Sequence, residues 1–132
     1  MVDFEIMDKK PEIDEYIKLR KEVGWETVDK ESAQKGINNS SYCICIECEG
    51  DLVGFGRVVG DGATVFYIHD IIVSPKYQKQ KLGLKIMEYI YANYSDKAFI
   101  GLIAKDDLDK FYSKFGFSYN ENNRFYRFKI QE

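Results

Sequence analysis

What the chain lacks narrows it first. No run approaches the ~18 apolar residues that crossing a bilayer needs, so no transmembrane helix and no membrane partner are expected. The opening residues, Met1-Val2-Asp3-Phe4-Glu5-Ile6-Met7-Asp8, are acidic and contain no apolar stretch, which argues against a secretory signal. Basic residues are in deficit: 19 Lys and Arg against 22 Asp and Glu leave a formal charge of −3, not the basic footprint of a general nucleic-acid binder. There is one histidine, His69, and three cysteines, Cys43, Cys45 and Cys48. A structural zinc site usually needs four ligands, and with one histidine, no second cysteine pair and a strand pattern around Cys43 and Cys45, no metal is expected. An odd thiol count without a signal sequence reads as reduced cysteines in a cytoplasmic protein. Cys43 and Cys45 alternate with Ile44 and Ile46, the period of a strand, so the thiols are expected to pack as small hydrophobes.

What is present suffices for one ordinary domain. In 132 residues, 45% are hydrophobic and 15% aromatic, which argues against disorder and for a single domain over residues 1–132. A chain this long buries roughly two-thirds of its unfolded surface without disulfides. Phe4–Met7 is a strand candidate. Pro11 suits a first helical position, and Ile13, Tyr16, Ile17, Leu19 and Val23 follow at helical spacing until Gly24. A second helix is predicted from Asp29, as N-cap, to Ile37. Tyr42–Cys48, Leu52–Val59 and Ala63–Val73 read as an antiparallel meander, turned at Glu49-Gly50-Asp51 and Gly60-Asp61-Gly62. A helix over Lys81–Asn93, a strand over Ala98–Ala104, a helix over Asp106–Phe115 closed by Gly116, and a strand pair at Phe117–Tyr119 and Arg124–Ile130 complete the chain. The order predicts an α/β (α+β) fold: a mixed, mostly antiparallel central sheet flanked by helices.

The most informative stretch runs from Ile71 to Ile86. A buried strand ends at Val73, a short loop follows, and a helix starts. Helix starts expose unpaired N–H groups and attract phosphate. Gly83 lets a ligand or the strand come close. Lys76, Lys79, Lys81 and Lys85 place four positive charges here with no acid among them.

Gln78-x-x-Lys81-x-Gly83 resembles the (Arg/Gln)-x-x-Gly-x-(Gly/Ala) acyl-CoA signature of the GNAT N-acetyltransferases, and Val73-Ser74-Pro75-x-Tyr77 resembles its lead-in. Phe111-Tyr112-Ser113-Lys114-Phe115-Gly116-Phe117 is similar to the family's F-Y-x-K-x-G-F segment, and Leu19-Arg20-x-x-Val23-Gly24-Trp25 to the L-R-x-x-V-G-W of small bacterial members. The order and spacing of all three match, so the resemblance covers essentially the whole chain. One departure is Lys81, where the signature has its middle glycine; lysine still presents its N–H there provided φ is negative.

The resemblance implies an enzyme that moves an acetyl group from acetyl-CoA to a primary amine of a small molecule or peptide, in a ternary complex. An alternative is a non-catalytic acyl-CoA-binding or regulatory module. The implied cofactor residues are Ile71, Ile72 and Val73, through their backbone beside a bulge, and Gln78, Lys79, Gln80, Lys81, Leu82, Gly83, Leu84 and Lys85. Tyr112 is the implied general acid for the leaving thiolate; a phenol near pKa 10 holds its proton at neutral pH. The attacking amine must be neutral, which for a pKa of ~10.4 costs roughly 4.6 kcal/mol at pH 7. Strict alternation puts Tyr67 and His69 on one strand face and Asp70 on the other. His69 is the candidate base, with Asp70 and Glu22 as alternatives. Arg20, Trp25 and Tyr126 are the candidate acceptor-pocket residues. The family also implies a homodimer.

Overall fold

The computed structural model describes residues 3–26, 28–97, 99–104 and 108–118. Its strands follow the alternating segments. The first, β1, is Glu5–Asp8, and β2 is Tyr42–Cys48, where the sequence predicts it; β3 is Asp51–Gly60 and β4 is Val65–Val73. Glu49 and Gly50 take positive φ (52° and 84°) in the tight turn between β2 and β3. The β3–β4 turn is held by Asp61, whose carboxylate accepts the N–H groups of Ala63, Thr64 and Val65, so β4 starts two residues later than predicted.

Helix α1 is Ile13–Glu22, capped by Glu12 accepting from the Glu15 N–H. Pro11 therefore lies before the cap, not inside the helix. Gly24 ends the run at φ 79°. Helix α2, Lys30–Asn38, is capped by Asp29 as predicted; its side chain accepts from the Ser32 N–H. Helix α3 is Leu82–Tyr94, β5 is Phe99–Leu102 and α4 is Asp109–Ser113. The last two are shorter than predicted. Phe117 and Ser118 are not in a strand, and the predicted pair at Tyr119 and Arg124–Ile130 lies outside the described residues.

The sheet order is β1-β2-β3-β4-β5. Neighbours from β1 to β4 are antiparallel, while β5 is parallel to β4, giving the mixed sheet expected. Side-chain alternation sorts each strand between two apolar layers. On one face Ile44, Ile46, Val58, Phe66 and Ile68 meet Leu82, Ile86, Met87 and Ile90 of α3. On the other Cys43, Cys45, Phe55 and Ile72 meet Ile13, Tyr16 and Leu19 of α1 and Ala33 and Ile37 of α2. The cysteines are thus core residues, and burial pushes the Cys45 thiol up to about 12. Gly56 sets the approach of α3: a Cβ there would lie 2.4 Å from Ile86 Cγ2.

Candidate active site

Two features of β4 build one end of the site. Its pairing with β3 slips between Arg57 and Val58: Arg57 faces Asp70 and Val58 faces Ile68, which leaves His69 as the extra residue of a β-bulge. Its pairing with β5 ends at Ile68, so among the described residues His69 to Val73 has an open backbone edge on that side. The bulge also overturns the expected alternation. Asp70 does not point away from His69; it turns to the α1–α2 face, and His69 Nδ1 lies 2.9 Å from Asp70 Oδ1.

Asp70 is completely buried. A carboxylate taken out of water must be paired or hydrogen-bonded. Tyr16 Oη donates to its Oδ2 at 2.7 Å, Arg57 Nε to Oδ2 at 2.9 Å and Arg20 Nη1 to Oδ1 at 3.3 Å. Burial pushes the carboxyl pKa up, but contact with His69, the Tyr16 hydroxyl and the Arg57 charge more than reverse this and hold it at about 2. Burial and the Asp70 charge in turn push the Tyr16 phenol up to about 12. Arg57 Nη2 lies 3.0 Å from His69 Nδ1. Arg20 continues outward, donating through Nη2 to the Glu26 carbonyl at 2.9 Å, with its guanidinium 5.3 Å from the Trp25 ring centroid.

At the other end of the open edge a pocket of about 440 Å³ lies at the start of α3, lined by Val73, Gln78, Lys79, Lys81, Leu82, Gly83, Leu84, Phe111 and Lys114. Lys81 is the N-cap of α3 and gives no side-chain cap bond; the first N–H to find a helical carbonyl is that of Lys85, on Lys81. The N–H groups of the first turn therefore remain available to an anion. Lys81 does not keep a negative φ: it sits at φ 62°, ψ 25°, and Lys79 at φ 71°. The glycine-type backbone of the loop is thus retained, at a steric cost of about 1–2 kcal/mol per non-glycine residue. Gly83 has ordinary φ, and a Cβ there would meet nothing within 4 Å. The strand does not crowd this glycine; the space is open to a ligand. Three lysines, open helix N–H groups and a bare glycine suit the phosphates of an acyl-CoA, and the open β4 edge suits its amide chain.

A sequence profile for the acetyltransferase (GNAT) domain matches residues 12–130. The chain belongs to the GNAT acetyltransferase family. Among solved structures, a Staphylococcus aureus protein described as a probable acetyltransferase superposes with a TM-score of 0.87 at 33% identity, over 98% of this chain and 100% of that one. An uncharacterized N-acetyltransferase, ycf52, of Gracilaria tenuistipitata is 30% identical over 106 residues, 76% of this chain and 58% of that protein. The chain spans under two-thirds of the length of the curated relatives it matches. An aminoglycoside N-acetyltransferase solved in complex with CoA shares the fold, with a TM-score of 0.70 at 14% identity over 98% of this chain and 97% of that one.

Within this family fold, the predicted residues divide into groups. Val73, Gln78, Lys79, Lys81, Leu82, Gly83 and Leu84 come together around the pocket, although Leu82 is itself buried in the α3 core and Gln78 Nε2 donates to the Val73 carbonyl at 3.1 Å. Gln80 and Lys85 are exposed outside its lining. Tyr112 is half-buried, with its ring centroid 4.9 Å from Phe111 and 6.2 Å from Phe117, and burial pushes its pKa up. Arg20 and Trp25 do meet, but the cation over Trp25 is the chain's own arginine. Glu22 is engaged, accepting from the buried Ser74 hydroxyl at 3.1 Å. Tyr126 lies outside the described residues. Sequence reasoning missed Arg57, Tyr16, Phe111 and Lys114. The available signal for Arg57 and Asp70 was a lone cation and a lone acid inside two neighbouring apolar strands.

Among the described residues no group of His, Cys, Asp or Glu is arranged to hold a metal, and no helix is long and apolar enough to cross a membrane.

Proposed function

We propose that the chain transfers an acetyl group from acetyl-CoA to a primary amine of a small molecule or peptide, both substrates being bound together. The observation that carries this reading is the α3 start: open space beside Gly83, helix N–H groups without a side-chain cap, and Lys79, Lys81 and Lys114 around one pocket. These groups would hold the phosphates, with Lys85 and Gln80 at the rim, and the backbone of Ile71, Ile72 and Val73 would take the amide chain. Bound there, acetyl-CoA supplies an activated thioester. Tyr112, a phenol whose pKa burial raises further, holds its proton at neutral pH and can protonate the departing thiolate. At the acceptor end Asp70 is spent on ion pairs and Glu22 on Ser74, which leaves His69 as the side chain with a ring nitrogen turned outward. Arg20, Trp25 and Tyr126 would line the acceptor. The same reading expects a homodimer in the cytoplasm.

Thiol release from acetyl-CoA across a panel of primary amines tests the proposal. Turnover is expected with at least one amine, and Tyr112→Phe should lower kcat by roughly 10²-fold. Cofactor binding without turnover on any amine would contradict it and favour a non-catalytic acyl-CoA-binding module.

A further inference from the structure

One side of the sheet is only partly covered. On the α1–α2 face the helices pack on Cys43 and Cys45 of β2, Phe55 of β3 and Ile72 of β4. Beyond the Arg57–Asp70 pair the same face carries Val59 on β3, Val65 and Tyr67 on β4, and Phe99 and Gly101 on β5. Alternation places them there, because their neighbours Val58, Phe66, Ile68 and Ile100 pack toward α3. Strand register joins them: Val59 pairs with Tyr67, Tyr67 with Gly101, and Val65 with Phe99. None of the five belongs to either apolar layer. Val65, Phe99 and, just past β5, Ile103 are more than half exposed. The Phe99 ring lies back over Gly101, where a Cβ would come within 3.3 Å of it, so the ring stays against the sheet. The Tyr67 hydroxyl reaches the Ile103 N–H. Apolar residues scattered singly on a surface are ordinary, but a registered group of them across three strands marks a binding face.

This face runs into the candidate site. The Tyr67 ring centroid is 6.1 Å from that of His69, and His69 begins the unpaired edge of β4. A molecule whose amine reaches that edge beside His69 and whose body extends along the face meets Tyr67 first, then Val59, Val65 and Phe99. Among the described residues the charges at its two ends are already engaged. Arg57 and Asp70 pair with each other, and the Asp61 carboxylate accepts the N–H groups of Ala63, Thr64 and Val65. A second charge on the acceptor would therefore give up water without gaining a partner.

We infer that this face is the acceptor floor, and that the acceptor is a primary amine with an uncharged apolar body, an alkyl chain or an aromatic ring. This deepens the acetyl-transfer reading and rests on it for the reaction.

Straight-chain amines test the floor, because lengthening the chain adds apolar contact and leaves the amine itself unchanged. From ethylamine through butylamine to hexylamine, kcat/KM at saturating acetyl-CoA should rise about two- to fourfold per methylene, the upper figure being full burial. The compounds 1,6-diaminohexane and 6-aminohexanoate match hexylamine in length but carry a second charge, and should fall at least ~10-fold below it. Phe99→Ala removes an exposed ring outside the core and should lower the hexylamine-to-ethylamine ratio by at least ~3-fold. A flat or falling series, or a charged amine preferred over hexylamine, overturns the inference and leaves the face to a second copy of the chain. Saturation-transfer NMR reads hexylamine binding without turnover: the terminal methyl should receive strong transfer from the wild type and weak transfer from Phe99→Ala. No turnover with any amine counts against the acetyl-transfer reading, whereas no transfer to hexylamine from the wild type overturns the floor.

Discussion

The two ends of β4 handle their polar groups in opposite ways. At the bulge, the chain meets its own buried charge: a fully buried carboxylate is matched by two arginines and a phenol, with Arg20 Nε alone left buried without a partner among the described residues. At the start of α3, the chain leaves groups open: helix N–H groups without a side-chain cap, lysines around a pocket and a glycine with empty space beside it. Self-satisfied polar clusters rigidify and position, and open ones wait for a ligand. On the proposed reading, the bulge end is preorganised by the fold, whereas the α3 end is completed by what binds.

If that contrast holds, changes at the bulge should act on stability and changes at α3 on binding. The largest stability effect is expected at Asp70. Asp70→Asn strands two arginines around a neutral amide and should cost roughly 3 kcal/mol in denaturant unfolding. The same group sets an acid dependence. Its folded pKa, about 2, lies below the unfolded value near 3.9, so its contribution is complete above about pH 5 and is lost as pH falls toward 2. Acid unfolding of Asp70→Asn should therefore be flatter across that window, and an unchanged slope would break the assignment. Gly56→Ala comes next, at about 1–3 kcal/mol, because its Cβ would collide with Ile86.

At α3 the signs reverse. Gly83→Ala meets no protein atom, and alanine suits a helix better than glycine, so stability should rise by up to about 0.5 kcal/mol while acetyl-CoA affinity falls. Loss of stability together with unchanged affinity would show that the glycine serves packing. The smallest effect is expected from Lys81→Gly. It relieves a left-handed lysine, which should stabilise by under about 1 kcal/mol after the greater freedom of the unfolded glycine is counted. It should also weaken cofactor binding through the lost charge, more at low salt than at high salt.

Much of this arrangement is legible in the residues. The Asp29 cap, the boundaries of β2, the strand alternation of Cys43 and Cys45 and the lysine-rich start of α3 are all local signals, and each element formed where its local chemistry favoured it. The bulge at His69 is not local. No residue type demands it, and one extra residue on β4 turns Asp70 to the opposite face from the one strict alternation assigns. The Arg57–Asp70 pair is likewise a product of register between strands, and its members are 13 positions apart. The left-handed Lys81 was unreadable for a different reason: the loop geometry is retained although the residue that makes it easy is absent. Phe111 and Lys114 line the same pocket as the first turn of α3, a tertiary fact that the F-Y-x-K segment names without locating.

The most direct measurement is thermal unfolding of the wild-type protein across an acetyl-CoA titration, with Gly83→Ala alongside. Binding at the α3 pocket should stabilise the wild type by about 2.7 kcal/mol at one hundred times the dissociation constant, with the Gly83→Ala curve displaced to higher cofactor concentration. No shift of the wild type at millimolar acetyl-CoA would contradict a cofactor site at the start of α3.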